Sequence, residues 1–507
     1  KTIVALHRIA YLMYHGLKNS LKAHHILVLS PNDLFTNYIG HVLPELGEEQ
    51  VQTWTLDEMI ERALGQELAF ESPYRRLEAS LNSQLNPITA LGMRVKSDMR
   101  MMHALQATLK DFEKKGIVTE DFYYGSELLT TKAAMRKALK VEGRYRPVMK
   151  RLERFCERVR HKVKDVERRH YAEILLEVML SGKHPFDYKA VARLERYKRY
   201  HKLSEALDAR MAVNGLSVYR WMLEYPKYIK EHFEELTLSQ VREIAKDTLE
   251  RMDSGRLGLE DWLIVCWYQM ALYGEHPLIG LKQVVIDESQ DYSAMAFAIF
   301  KALFPKAHFT ILGDAKQRLT DVYEVDHHEQ AARAMQVAEP IFTHLNVVYR
   351  NVEGIGHFCQ RLFKDKGTFE VVPRTGDAPC LFTGSEALNR SLVWMREKGH
   401  QTIAVLTRTM KRANEISRAL KLLEYPHCVV DEETLSIPEG LLVMPVYYAK
   451  GMEFDGVVIV DANDETYSDQ RDLQLLYVAA SRGLHHLALV SEIEPRGEWL
   501  TAVGKAV

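Results

Sequence analysis

The chain has 507 residues, which at about 150 residues per domain leaves room for about three domains. Its 47% apolar and 27% charged content is that of a folded globular protein, and a formal net charge of −2 removes any overall demand for a polyanionic partner. Five scattered cysteines (Cys156, Cys266, Cys359, Cys380, Cys428) with no CxxC pair argue against a disulfide framework or zinc knuckle and fit a reducing cytoplasm, and no run approaches the 18 or so apolar residues that cross a bilayer.

In chain order, KTIVALHRIAYLMYHGL places Ile3, Leu6, Ile9, Ala10, Met13 and Leu17 at helical spacing, which predicts a helix with one buried stripe. HHILVLSPN is a short apolar run ended by Ser-Pro-Asn and predicts a buried parallel strand. FTNYIGHVLPEL predicts a helix broken near Pro44, and VQTWTLDEM a strand that enters a helix. From about Gln66 to about Asp253 strand signals vanish and long charged helices take over. Within it, Lys132 to Lys202 carry 22 basic against 9 acidic residues, so the rest of the chain is acidic. Such a stretch is either a solvated arm or a surface for an anionic partner. Strands return in LKQVVIDESQD, AHFTILGDAKQRL, TIAVLTR, GLLVMPVYYAKGMEFDGVVIVDA and HHLALVS. The expected class is therefore α/β, two blocks separated by a helical insertion. No internal repeat or low-complexity tract interrupts it.

The chemistry concentrates after QVVI. A carboxylate at the carboxyl end of a buried strand sits where open α/β sheets bind ligands. Asp287 there can hold Mg²⁺ and Glu288 can polarise an attacking water; an exposed acidic loop is the plain alternative. Lys1-Thr2 at the head of a helix is also what remains of G-x-x-x-x-G-K-[ST] when the chain is cut before the Lys. The adjacent histidine pairs (His24–His25, His327–His328, His485–His486) point apart on a helix or strand and argue against a metal site.

Seven segments occur in one order: KTIVALHRIAYL, ILVLSPN, VVIDESQD, ILGDAKQRL, LNVVYRN, YYAKGMEFDGVVIV and LLYVAASRG. Together they resemble the motif set of the UvrD/Rep-like superfamily 1 helicases. NYIGHVLPELGE, LGLEDW, PRTGDAP and TIAVLTRTMKRA are similar to the HelD-like branch, RNA polymerase-associated ATPases grouped with DNA helicase IV. The resemblance implies two RecA-like P-loop NTPase domains with a long, mostly helical insertion in the first. Its boundaries would be 1–65 and 254–340 for the first domain, 66–253 for the insertion and 341–507 for the second domain. It implies ATP and Mg²⁺, with Lys1 and Thr2 ending the phosphate loop, Thr2 and Asp287 on the metal, and Glu288 as base. Gln317 would sense the γ-phosphate, and Arg350 and Arg482 would act as arginine fingers. Tyr349 would stack on adenine, Glu453 would touch the ribose, and Gly451 would allow close approach. Phosphoryl transfer needs this set because it is mostly positioning and charge stabilisation.

The pattern departs from DNA-tracking relatives in two places. QRLTDVYEV lacks their stacking aromatics and has only Tyr323, at another offset. About a hundred residues separate Tyr349 from Lys450, room for one compact unit but not for a further large domain. Ser481, Gly483 and Met452 are milder replacements. The partner expected is core RNA polymerase, with the basic insertion as an arm; single-stranded DNA, gripped through phosphates, is the alternative. No membrane role is expected.

Overall fold

A computed structural model describes residues 2–16, 21–30, 50–117, 121–124, 127–141, 146–183, 187–274, 278, 280–319, 327–363, 370–434, 436–495 and 504–505. It begins with α1 (Thr2–Gly16), β1 (Ile26–Leu29), β2 (Gln52–Trp54) and α2 (Leu56–Leu64). There follow α3 (Pro73–Leu81), α4 (Pro87–Ser97), α5 (Arg100–Lys115), β3 (Phe122–Tyr124), β4 (Glu127–Thr130) and α6 (Lys132–Val141). Next come α7 (Val148–Leu180), α8 (Tyr188–Met211), α9 (Gly215–Glu224), α10 (Lys227–Lys230) and α11 (Leu238–Asp253). The first sheet resumes through α12 (Leu259–Tyr273), β5 (Gln283–Ile286), α13 (Ala294–Leu303), β6 (His308–Ile311) and α14 (His327–Ala334). The remainder is β7 (Val347–Val348), α15 (Glu353–Arg361), β8 (Glu370–Val371), β9 (Cys380–Thr383), α16 (Ala387–Glu397), β10 (Thr402–Thr407), α17 (Met410–Leu422), β11 (Cys428–Val429), β12 (Gly440–Pro445), β13 (Phe454–Ile459), α18 (Gln470–Ala480), β14 (Gly483–Ser491) and β15 (Gly504–Lys505).

Two parallel sheets organise the chain. The first runs β2-β1-β5-β6, with Leu27 opposite Gln52 and Ile26 opposite Gln283; the second runs β11-β12-β10-β13-β14-β9-β15. Each is covered on both faces, so the strands alternate between two cores. Leu27 and Leu29 join one cluster and Ile26 and Val28 another, where Ile9 and Met13 of α1 pack. On β10, Ala404 and Leu406 face one core while Ile403 and Val405 face the other. Asp287 and Arg482 flank these strands, β5 at its carboxyl end and β14 at its start.

The long helices follow the expected pattern. On α7 the buried residues Leu152, Phe155, Cys156, Val159, Val163 and Val166 repeat at three and four, and they pack in part against Leu203 and Leu207 of α8. One expectation is corrected. The region read as free of strands contains the antiparallel hairpin β3–β4, with Phe122 opposite Thr130. FYY and ELLT carry the aromatic and β-branched residues a strand prefers, but strands this short lose their signal among charged helices. The helix expected over FTNYIGHVLPEL and the residue Tyr323 lie outside the described residues.

The helix α12 is buried almost all round and anchors the helical region to the first sheet. Its first turn carries Glu260 and Asp261, favourable at a helix N-terminus. Arg76 grips Glu260 with two bonds of 3.0 and 2.6 Å, and Lys96 and Tyr219 both reach Asp261, at 2.6 and 2.5 Å. Burial pushes the Glu260 carboxyl up, but Arg76 overrides it and holds the group below the usual carboxylate range. Removing one partner from such a buried pair leaves an uncompensated charge and costs about 3–5 kcal/mol.

Candidate functional site

Asp287 and Glu288 follow β5 directly, and both are buried. The chain turns sharply there: Glu288 has φ +47°, a left-handed conformation that costs a non-glycine residue about 1–3 kcal/mol. The fold holds it through Gln290, fully buried, whose Nε2 donates to Glu288 Oε2 and whose Oε1 accepts from the Asp314 amide at 2.8 Å. Gly313 makes this approach possible. A Cβ there would lie 2.2 Å from Ser289 Oγ and 2.9 Å from Gln290 Oε1. The acid loop after β5 and the Gly-Asp turn after β6 are thus locked together, and Asp314 caps the short turn that presents Gln317.

From the second block, Arg482 enters at the end of α18. It is 1% exposed, and its bonds go to the carbonyls of Val478 (3.1 Å) and Met452 (3.4 Å), to Ser481 Oγ (3.1 Å) and to Gln317 Oε1 (2.9 Å). Among the described residues it has no carboxylate partner. Burial depresses its pKa, and the nearby Arg350 adds to this; Glu288 and Glu453 pull the other way. Two guanidiniums and the Gln317 carboxamide therefore lie close to the acid loop. Guanidinium and carboxamide N–H groups are donors of the kind that phosphate oxygens accept.

The remaining expected residues surround this point. Arg350 pairs with Glu453 at 2.7 Å, both partly exposed. Tyr349 is 71% exposed, its ring open to solvent beside Arg350. Gly451 has φ +84°, a turn that favours glycine two residues before Glu453. Lys1 lies outside the described residues, and Thr2 opens α1 with its side chain outside them. Among the described residues no group of three or more His, Cys, Asp or Glu side chains could hold a metal ion. Asp287, a single buried carboxylate at a strand end, still suits Mg²⁺, which takes one or two carboxylates and completes its shell with water and phosphate oxygens.

Three residues of this site carried no role in the sequence reading. Gln290 clamps Glu288. Lys450, 5% exposed, crosses from the second block to both oxygens of Asp291 at 2.7 and 2.6 Å, with Glu288 Oε2 at 4.0 Å. Burial pushes the Asp291 carboxyl up, and Lys450 opposes that. Asn351 donates to the carbonyls of Ser481 and Gly483 and so fastens the Tyr349–Arg350 segment to the Arg482 turn. All three sit inside quoted segments, DESQD, YYAKGMEFD and LNVVYRN, and residence there was the one available signal.

Residues 440–490 match the UvrD-like helicase C-terminal domain. The matched stretch runs from β12 into β14 and contains Lys450, Gly451, Glu453 and Arg482. No curated protein matches the chain. Among solved structures, the C-terminal domain of a possible DNA helicase from Lactobacillus plantarum WCFS1 is similar at 26% identity, over 31% of this chain and 94% of its own, with a TM-score of 0.26. The PRRSV helicase is similar at 18% identity, over 42% of this chain and 35% of its own, with a TM-score of 0.24. The second block thus carries a segment of the UvrD-like helicase type, set in a parallel α/β architecture. None of the described helices is long and apolar enough to cross a membrane.

Proposed function

We propose that the chain is the motor core of an ATP-hydrolysing protein of the superfamily 1 helicase type, its substrate lying between two RecA-like domains. The observation that carries this reading is Arg482: a buried guanidinium from one block, without a carboxylate partner among the described residues, bonded to Gln317 of the other beside Glu288. In this reading Glu288, held by Gln290, accepts the proton of the attacking water. Arg482, Arg350 and Gln317 stabilise the charge that develops on the transferred phosphoryl oxygens. Arg350 leaves Glu453 for the phosphate, and Glu453 turns to the ribose. Tyr349 offers its exposed ring to the adenine. Lys1 and Thr2 complete the phosphate and metal contacts. Asp287 and Thr2 would hold Mg²⁺, which supplies charge neutralisation on the phosphates when bound.

We further read the motor as a HelD-like factor that remodels or recycles bacterial RNA polymerase, with residues 66–253 as its arm. The four HelD-like segments support this, as does the make-up of the span between Tyr349 and Lys450, whose described part holds α15 to α17 and strands of the second sheet. Lys162, Lys164 and Arg168 are exposed on α7, and they are what the alternative, a single-stranded DNA translocase, would use. The test is steady-state ATP hydrolysis by the chain extended to carry the glycine loop before Lys1, alone, with single-stranded DNA and with core RNA polymerase. The remodeller reading expects basal turnover that polymerase alters and DNA leaves unmoved. Strong stimulation by DNA alone would replace it with the translocase. No turnover under any condition would overturn the motor itself.

A further inference from the structure

Helix α3 belongs by sequence to the helical region, yet it is built into the second block. Ser72 caps it and Pro73 starts it, which fixes its first turn. Residues 74, 78 and 81, spaced i, i+4 and i+7, form one face. Leu81 is buried in the core of the second block, and Tyr74 lies against Tyr447 and Tyr448 with ring centroids 6.0 and 4.5 Å away. Glu78 Oε1 accepts from the Met410 amide at 2.9 Å, and its Oε2 accepts from the Tyr447 hydroxyl at 2.8 Å. Arg408 donates to the Leu81 carbonyl at 3.0 Å. On the other side of the helix, Arg76 holds Glu260 of α12, and a Cβ at Gly258 would lie 1.9 Å from Arg76 Nη1 and push the guanidinium aside. The helix is therefore bolted at once to the base of the helical region and to the second block.

What Glu78 grips leads straight to the site. Tyr447 stands in a tight turn: Tyr448 N bonds to Pro445 O, Ala449 N to Val446 O, and Met452 N to Ala449 O, each at 3.1 Å. Val446 and Ala449 are fully buried, so the turn is anchored in the core of the second block. Three residues after Tyr447, Lys450 pairs with Asp291 of the acid loop, and the Met452 carbonyl accepts from Arg482. A cavity of about 320 Å³, lined by Tyr74, Arg76 and Leu77 on one side and by Asp291, Tyr292 and Ser293 on another, parts α3 from the acid loop. The link between them runs through the 447–452 turn. Burial, with Glu78 assisting, raises the Tyr447 pKa, so its hydroxyl stays a donor.

We propose that Glu78 is a positioning residue for the hydrolysis reaction: by holding Tyr447 it sets Lys450 and Arg482 over the acid loop, so the helical region governs turnover at the site. The proposal rests on the ATPase reading above. Steady-state ATP hydrolysis by the loop-extended chain tests it. Glu78→Ala is expected to lower kcat about tenfold or more while KM for ATP stays within about threefold, the mark of a lost transition-state arrangement. Glu78→Gln should recover to within about threefold of the parent, because its carboxamide oxygen can accept from Met410 and its nitrogen can donate to the Tyr447 oxygen. If Glu78→Ala does not fold, Tyr447→Phe, which deletes one hydroxyl, carries the test with an expected fall in kcat of about threefold or more at unchanged KM. Undiminished kcat in Glu78→Ala, or in Tyr447→Phe, overturns the proposal, as does a Glu78→Gln protein no better than Glu78→Ala. The parent and a Glu288→Gln control separate the two levels. No turnover in the parent would overturn the ATPase reading, and full turnover in Glu288→Gln would overturn the base assignment and the site on which the proposal acts, whereas loss in that control beside an unaffected Glu78→Ala removes the proposal alone.

Discussion

Arg160, Arg196 and Arg199 on the α7–α8 hairpin each face a carboxylate across the helix pair, Asp208, Glu167 and Glu177, at 2.6, 3.1 and 3.0 Å. Each keeps more than a third of its side chain in solvent. Arg482 reverses both conditions, being buried and, among the described residues, bonded only to carbonyls, a hydroxyl and a carboxamide. Exposed pairs contribute about 0–1 kcal/mol, since water and salt screen them. A guanidinium withdrawn from water without a counterion costs several kcal/mol. The hairpin arginines add little to stability; in the proposed reading, the cost of burying Arg482 is offset when the phosphate binds.

The comparison can be broken most forcefully at the acid loop. In the loop-extended chain, Glu288→Gln keeps the shape of the site but removes the base, and ATP turnover should fall by about a thousandfold or more while ATP binding persists. Near-normal turnover would show that the charge-rich site is not catalytic. Next in size is Arg482→Lys, which keeps the charge but loses the planar fork. It should cost about a hundredfold in kcat, whereas Arg160→Lys leaves kcat unchanged. Gln317→Ala deletes one of the contacts between the two blocks and is expected to cost about tenfold, read in the same assay. On the hairpin, Arg196→Ala and Arg199→Ala should each move the melting temperature by no more than about 1–2 °C. A larger drop would mean that the arm pairs matter more than their exposure allows.

The smallest effect sharpens the contrast from another side. Four residues beyond Arg482, His486 meets buried surroundings by staying neutral: its Nδ1 shares a 2.8 Å hydrogen bond with His400 Nε2. Burial lowers the pKa of both imidazoles, with Asp377 partly offsetting it at His486. Their folded values therefore lie below the unfolded value of about 6.5, and the unfolded chain binds more protons. The stability they contribute is present above that value and is lost as pH falls through the folded values. Melting curves followed from about pH 7 down to pH 5 should fall less steeply in His400→Gln than in the parent. An unchanged slope would remove these imidazoles from the account.

The sequence was most legible where chemistry is local. Apolar runs closed by acids or by Gly-Asp marked β5 and β6, and AASRG marked the turn of Arg482. The Arg482–Gln317 contact then brought together two residues named separately. Legibility ended where function depends on a partner far along the chain. Glu78 meets Met410 and Tyr447, Lys450 meets Asp291, and Asn351 meets Ser481, and no spacing rule links such positions. The β3–β4 hairpin escaped for a different reason: strands of three and four residues carry too few alternations to stand out among charged helices.

The most direct measurement compares binding of ADP with binding of ADP plus aluminium fluoride, a mimic of the transferring phosphoryl group, in the parent loop-extended chain and in Arg482→Ala. The parent should hold the mimic about a hundredfold or more tighter than ADP, and Arg482→Ala should lose most of that preference while binding ADP as before. A preference that survives in Arg482→Ala would contradict the assignment of this buried arginine to the reaction.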